Sequence, residues 1–264
     1  MTITRRALPL LAAALPLAAA AEEAMLDTLF ARYLVLPADG VARVSYGAWK
    51  ANAADRAALE AWIAEAQTRR PSQMPRAEAF AFWANLYNAV TLKVILDNHP
   101  VRSIRDIRST GVGLDPRQFT GPWRTRLVTI EGRALSLDGI EHDTMRPTFR
   151  DPRVHYAVNC ASIGCPNLKP RAWRAATLEA DLDAAARVFV NHPRGAAFRP
   201  DGGLRVSSIY HWFREDFGGT EQGVIEHLRR YANGDLAARL AGVTRVAEHA
   251  YDWALNDAAA PARS

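Results

Sequence analysis

The stretch bracketed by Met74-Pro75 and His99-Pro100 most restricts how this chain can fold. The proline pairs predict a helix opening near Arg76 and closing at Asn98. Its apolar positions run Phe80, Trp83, Ala84, Tyr87, Val90, Val94 and Ile95, with few charges between them. Aromatic and aliphatic bulk of this extent has to be covered by the rest of the protein, so the pattern predicts a central buried helix.

The flanking segments supply the cover. Ala24 to Leu36 reads as an amphipathic helix with Leu26, Leu29, Phe30 and Tyr33 on one face, and Asp55 to Thr68 as a second with Leu59, Trp62 and Ile63 inward. Gly111 to Thr125, rich in Gly, Pro and Thr, reads as a loop. Arg126 to Leu135 reads as a hairpin about Glu131-Gly132. Ser136 caps a short helix that carries Glu141 and His142 and stops at Pro147. Arg153 to Cys160 alternates and reads as a strand. Helices follow at Thr177 to Asn191, after Ser207-Ser208, and at Glu221 to Tyr231; a turn at Pro200 to Gly203 joins two short strands, and Arg245 to Tyr251 is a final strand. Helices come first and strands are scattered later, which predicts one α+β domain with the buried helix packed on a small, mostly antiparallel sheet.

The N-terminus carries Arg5-Arg6, an Ala/Leu-rich run and an Ala19-x-Ala21 ending, the pattern of a secretory signal peptide over residues 1–21 with cleavage near Ala21-Glu22. Thr4-Arg5-Arg6-Ala7-Leu8 leaves both the general secretory and the twin-arginine route open. Residues 22–264 would then form a single periplasmic or secreted domain, with no later segment expected to have the apolar length to cross a bilayer. The net charge of +5 invites a nucleic-acid reading. However, the positive charge is nearly all arginine, interleaved with Asp and Glu instead of forming a stripe, which argues against nucleic acid.

Chemistry is concentrated in His155-Tyr-Ala-Val-Asn-Cys160-Ala-Ser-Ile-Gly-Cys165-Pro, which holds both cysteines of the chain. In an oxidising compartment they form a disulfide or stay as free thiols at a reactive centre; both remain open. On a regular strand His155 and Cys160 would face opposite ways, roughly 17 Å apart at about 3.3 Å per residue, so His142 would have to serve as the partner of Cys160. Glu141 and His142, adjacent on a helix, would point about 100° apart. Asn85 and Asn88 share one face of the buried helix; they either tie it to neighbouring loops or orient a catalytic group and donate to an oxyanion. No cofactor is indicated, while the Cys and His residues leave metal binding open without a compact zinc signature.

Four blocks, Phe82 to Asn88, Ser136 to His142, His155 to Pro166 and Tyr251 to Asn256, resemble those of the domain of unknown function 547 family, over about Phe80 to Asn256. The resemblance implies a domain and a site location, not a reaction. The order helix, hairpin, strand is also faintly similar to papain-like and transglutaminase-like folds. There the long helix would supply the nucleophile and His155 the base, yet that helix carries Asn85 and Asn88 and no cysteine. The leading expectation is a Cys/His-dependent enzyme for acyl or thiol transfer or amide hydrolysis, with Cys160 as nucleophile, His142 or His155 as base, Glu141 orienting and Asn85 donating. Cys165 and Asn88 are further site candidates. The alternatives are a non-catalytic periplasmic binding protein with a Cys160–Cys165 bridge and a metal-binding protein; the partner is a small molecule or peptide, and substrate and oligomeric state stay open.

Overall fold

The structure is a computed structural model that describes residues 14–108 and 121–259, with side chains from residue 23 onward. Residues 1–13 of the expected leader and most of the expected loop at Gly111 to Thr125 lie outside these descriptions. Helix α1 (Ala14–Tyr33) runs straight through the expected cleavage point and buries Leu26, Leu29, Phe30 and Tyr33. A two-stranded ladder, β1 (Leu34–Val35) with β2 (Arg43–Val44), leads to α2 (Tyr46–Ala51) and α3 (Ala53–Ala66). Asn52 accepts the Asp55 N–H and so caps α3.

Helix α4 (Arg76–Asn98) is the buried centre, as the sequence predicts. By length and composition it could cross a membrane, contrary to the expectation that no segment could; 94 % of that window is buried inside the protein, which makes it a core helix. Its packing partners differ from the expected sheet: α2, α3 and the short helix α5 (Leu137–Ile140) surround it. Among the described residues the strands form three separate small sheets. Beyond the first ladder, β3 (Val128–Ile130) pairs with β4 (Arg133–Leu135) across Glu131 and Gly132, both at positive φ as a two-residue hairpin turn needs. The last sheet orders β5 (Ala196–Phe198), β6 (Leu204–Ser207) and β7 (Glu248–Ala250), with β6 and β7 parallel. The chain is thus a single α+β domain.

Two local expectations are overturned, and both shape the site. Arg153 to Cys160 is not a strand. Asp151 accepts the Arg153 N–H, Pro152 opens the turn, and Val154–Ala157 forms helix α7 before the chain extends at Val158. The helix after Ser136 does not stop at Pro147 either. It passes through a π turn (Glu141–Met145), in which the Arg146 N–H reaches back to the Glu141 carbonyl, and continues as α6 (Arg146–Phe149). The register shift sets Pro147 at the opening of α6, where its missing N–H is tolerated. Helices α8 (Leu178–Val190), α9 (Ile209–Trp212), α10 (Glu221–Tyr231) and α11 (Gly234–Leu240) complete the fold.

Candidate active site

The segment after α7 is held from two sides. Asn88 on α4 donates to the Ala157 carbonyl at 2.9 Å and accepts the Asn159 N–H at 2.8 Å. Asn159 accepts the Ala161 N–H and donates to the Pro166 carbonyl at 2.7 Å, folding the cysteine loop onto itself. Ala161, directly after Cys160, sits at φ 59°, a left-handed backbone that a non-glycine residue adopts only when its surroundings enforce it. Here the enforcement comes from the C-terminal segment. Ile163 donates to the Ala254 carbonyl, Gly164 to the Asp252 carbonyl, and Asn256 to the Ala161 carbonyl. A Cβ on Gly164 would lie 2.8 Å from the Asp252 nitrogen, so this approach requires glycine.

These ties bring Tyr251 to Cys160, distant in sequence. The Cys160 Sγ lies 3.0 Å from the Tyr251 hydroxyl, 3.2 Å from the Ser162 hydroxyl and 3.0 Å from the Cys165 Sγ. The Cys165 sulfur in turn accepts the Cys160 N–H at 3.1 Å. The hydrogen bond with Cys165 pulls the Cys160 thiol below its ordinary range; burial opposes this, and the two hydroxyls add to it. Cys165 goes the other way, pushed well up by burial and then by its neighbour Cys160. Both cysteines are unbridged here.

Cys160 and Cys165 face a cavity of about 480 Å³ that Glu141, His142, His155, Asp138 and Tyr87 also line. Glu141 and His142 both line this one cavity although adjacent helical residues diverge. The helical turn at Val154 likewise removes the opposite-face separation expected of His155 and Cys160. His155, with a side chain only 2 % exposed, faces two carboxylates: its Nδ1 is 3.4 Å from Glu141 and its Nε2 is 2.6 Å from Asp216. Burial disfavours a charge on His155, but the hydrogen bonds to Asp216 and then Glu141 outweigh it and raise its pKa. Asp216, also paired with Arg146 at 2.6 Å, is drawn down to about 2 although burial acts upward. Glu141 ends below its ordinary range as well, hydrogen bonds from His155 and Tyr87 and the charge of His142 overcoming burial. A carboxylate beside each nitrogen favours the imidazolium, which has no lone pair with which to take a proton from Cys160. His155 is thus set between Glu141 and Asp216.

His142 remains open to the cavity, its side chain 30 % exposed, with Asp138 at 3.8 Å and Glu141 at 3.9 Å. Asn85 does not reach this cavity. Its amide donates to the Trp173 carbonyl at 2.9 Å and accepts the Trp173 N–H at 2.8 Å, so both of its functions go to holding one loop, as Asn88 holds another. Among the described residues no group of three or more His, Cys, Asp or Glu side chains is set to hold a metal ion.

The opposite wall went unrecognised as a site in the sequence. Trp123, Trp212, Phe213, Tyr251 and Trp253 line it, with Trp253 stacked on Trp212 at 5.6 Å and edge-on to Trp123 at 5.7 Å. The Arg105 guanidinium lies over the Trp253 ring at 5.3 Å. Trp212, large and apolar yet 45 % exposed, was the one local signal, since a helix that short has no folding reason to show it to solvent.

A family model described as "Protein of unknown function, DUF547" matches residues 71–190, bearing out the resemblance carried by the sequence blocks. The match covers Phe82 to Asn88, Ser136 to His142 and the cysteine loop; it begins earlier than Phe80 and ends before the Tyr251 to Asn256 block. Neither the curated proteins nor the solved structures contain a match to the chain. The analogy with papain-like folds finds no support either, because His155 lies on a helix and not on a strand.

Proposed function

We propose that the cavity carries out thiol transfer, with Cys160 and Cys165 acting as a dithiol that exchanges with disulfides. The observation that carries this reading is the pair itself: two thiols 3.0 Å apart, the cavity-lining Cys160 lowered by its donors and the deeper Cys165 raised by burial. A lowered thiol attacks and a neighbouring thiol resolves. The Cys160 thiolate attacks one sulfur of a substrate R–S–S–R′ and forms Cys160–S–S–R, while R′–S⁻ leaves and takes up a proton. Cys165 gives up its proton, attacks the Cys160 sulfur and expels R–S⁻. The substrate gains two electrons and the protein becomes the Cys160–Cys165 disulfide; an external dithiol runs the sequence backwards. The aromatic wall fits a small molecule or a peptide with apolar side groups. The leader-like N-terminus supports work outside the cytoplasm, where such bridges persist.

Exposure of the native chain to dithiodipyridine tests this. The wild type should release both equivalents of thiopyridone, Cys165→Ser one with the adduct held on Cys160, and Cys160→Ser none on the same timescale. Release from Cys160→Ser as fast as from the wild type would sink the reading. A second reading, acyl transfer with His142 as base, draws on the open position of His142 in the same cavity. It requires activity that survives Cys165→Ser. A binding protein without chemistry, which the aromatic wall also suits, requires ligand affinity unchanged in Cys160→Ser and no exchange at all.

A further inference from the structure

Arg194 follows α8 and reaches the cysteine loop. Its Nη1 donates to the Ile163 carbonyl at 2.9 Å and its Nη2 to the Asn167 side chain at 2.5 Å. The guanidinium thus grips the chain two residues before and two residues after Cys165. Its Nε is buried with no hydrogen-bond partner, and among the described residues it forms no ion pair. Burying a guanidinium without a carboxylate is costly unless another negative group can appear nearby. The charged and titratable groups around Arg194 are Asp39, paired with Arg43 at 2.6 Å, and His192, whose Nδ1 accepts the Arg194 backbone N–H at 3.2 Å. The other titratable groups that face Cys165 are Cys160, Tyr251, Tyr46 and Tyr87, none of them cationic.

We propose that Arg194 is the positioning residue of the resolving step: it holds Cys165 against Cys160 and supplies the positive charge that a Cys165 thiolate needs. This rests on the dithiol reading. Burial alone opposes ionisation of Cys165, which would stall the second step with the substrate still attached to Cys160. A cation fixed on the loop favours the Cys165 thiolate when it attacks and again when it leaves in the reverse direction. In keeping with this, burial lowers Arg194 to about 10, and a negative Cys165 is the leading influence that raises it again.

Stopped-flow exchange with dithiodipyridine separates the two thiopyridone releases in the full chain. Arg194→Met should leave the first release within about twofold, slow the second about tenfold at neutral pH, and move its pH midpoint up by about one unit. Arg194→Lys, which keeps the charge and loses the two-pronged grip, should restore the midpoint. Should Arg194→Met fail to fold, Arg194→Gln removes the same charge and can keep one hydrogen bond. A second release unchanged in rate and midpoint overturns the proposal. So does a parallel slowing of both releases with no midpoint shift, which is what a loosened loop would give. A wild-type chain without a second release overturns the dithiol reading itself.

Discussion

His155 and Cys160, five residues apart, have opposite electrostatic surroundings. His155 is wedged between the Glu141 and Asp216 carboxylates and stacked on Phe213 at 4.4 Å, while Cys160 meets two hydroxyls and a second thiol. The pH dependence follows. A histidine with a raised folded pKa contributes stability that is fully present below its ordinary value of about 6.5 and lost as pH rises through the folded value. Carboxylates with lowered folded values contribute above about 4.3 and lose that contribution as pH falls, for Asp216 through about 2. The His155 contribution should therefore be lost above about pH 6.5, while His227, lowered to about 4 by burial, removes stability as pH falls below about 6.5. Wild-type and His155→Gln melts should differ most below about pH 6.5 and converge above it, and a difference that does not change with pH would contradict the imidazolium. Asp216→Asn should cost about 1.5–3 kcal/mol in denaturant unfolding and lower the His155 pKa as read by NMR. Glu141, His142, His155 and both cysteines were legible in the sequence as candidates. Asp216 was not, and Tyr251 entered only as part of a sequence block, because their roles come from contacts made 61 and 91 residues away along the chain.

Among the elements, the misread segment from Arg153 to Cys160 shows how local signals compete. Alternation suggested a strand, but Asp151-Pro152 is a helix-opening pair, and Asn88 fixes where the helix ends by bonding Ala157 and Asn159. Pro147 misled in the opposite sense, since a π turn absorbs a proline that an α-helical register would have ended on. The long helix, the hairpin and the amphipathic helices α3, α8 and α10 followed their periodicity, while α1 buries the expected face but starts at Ala14 instead of Ala24 and ends at Tyr33. Pairing of the cysteine loop with the Tyr251 to Asn256 segment makes a sharp prediction at this scale. Gly164→Ala forces a Cβ into the Asp252 backbone and should destabilise the fold by about 1–3 kcal/mol. It should also withdraw the Tyr251 hydroxyl from Cys160, raising the pH midpoint of Cys160 alkylation. An alkylation profile identical to wild type would show that the two segments are not coupled.

Across the whole molecule, the buried residues form two apolar clusters that meet at α7: Val154 and Ala157 belong to the one built around α4, Tyr156 to the one beneath α8 and α10. The cysteine loop follows α7 directly from this junction, so its anchor is the core itself. The α+β class and the single domain were readable because hydrophobic periodicity reports burial directly. The cavity was not, because it arises where the cysteine loop, the π turn, α9 and the C-terminal segment converge, and no local pattern records that. Among the described side chains the buried face of α1 starts at Leu26, so a chain starting at Glu22 should melt within a few degrees of the full-length protein; a drop well beyond that would mean the earlier turns of α1 are part of the fold. The central claim, a dithiol that opens and closes, is tested most directly by equilibrating the native protein across ratios of a small dithiol to its disulfide, quenching with acid and weighing the intact chain. One reversible, two-electron transition between a doubly alkylatable form and a form about two mass units lighter is the expected result. Adducts on either cysteine without a Cys160–Cys165 bridge at any ratio would contradict it.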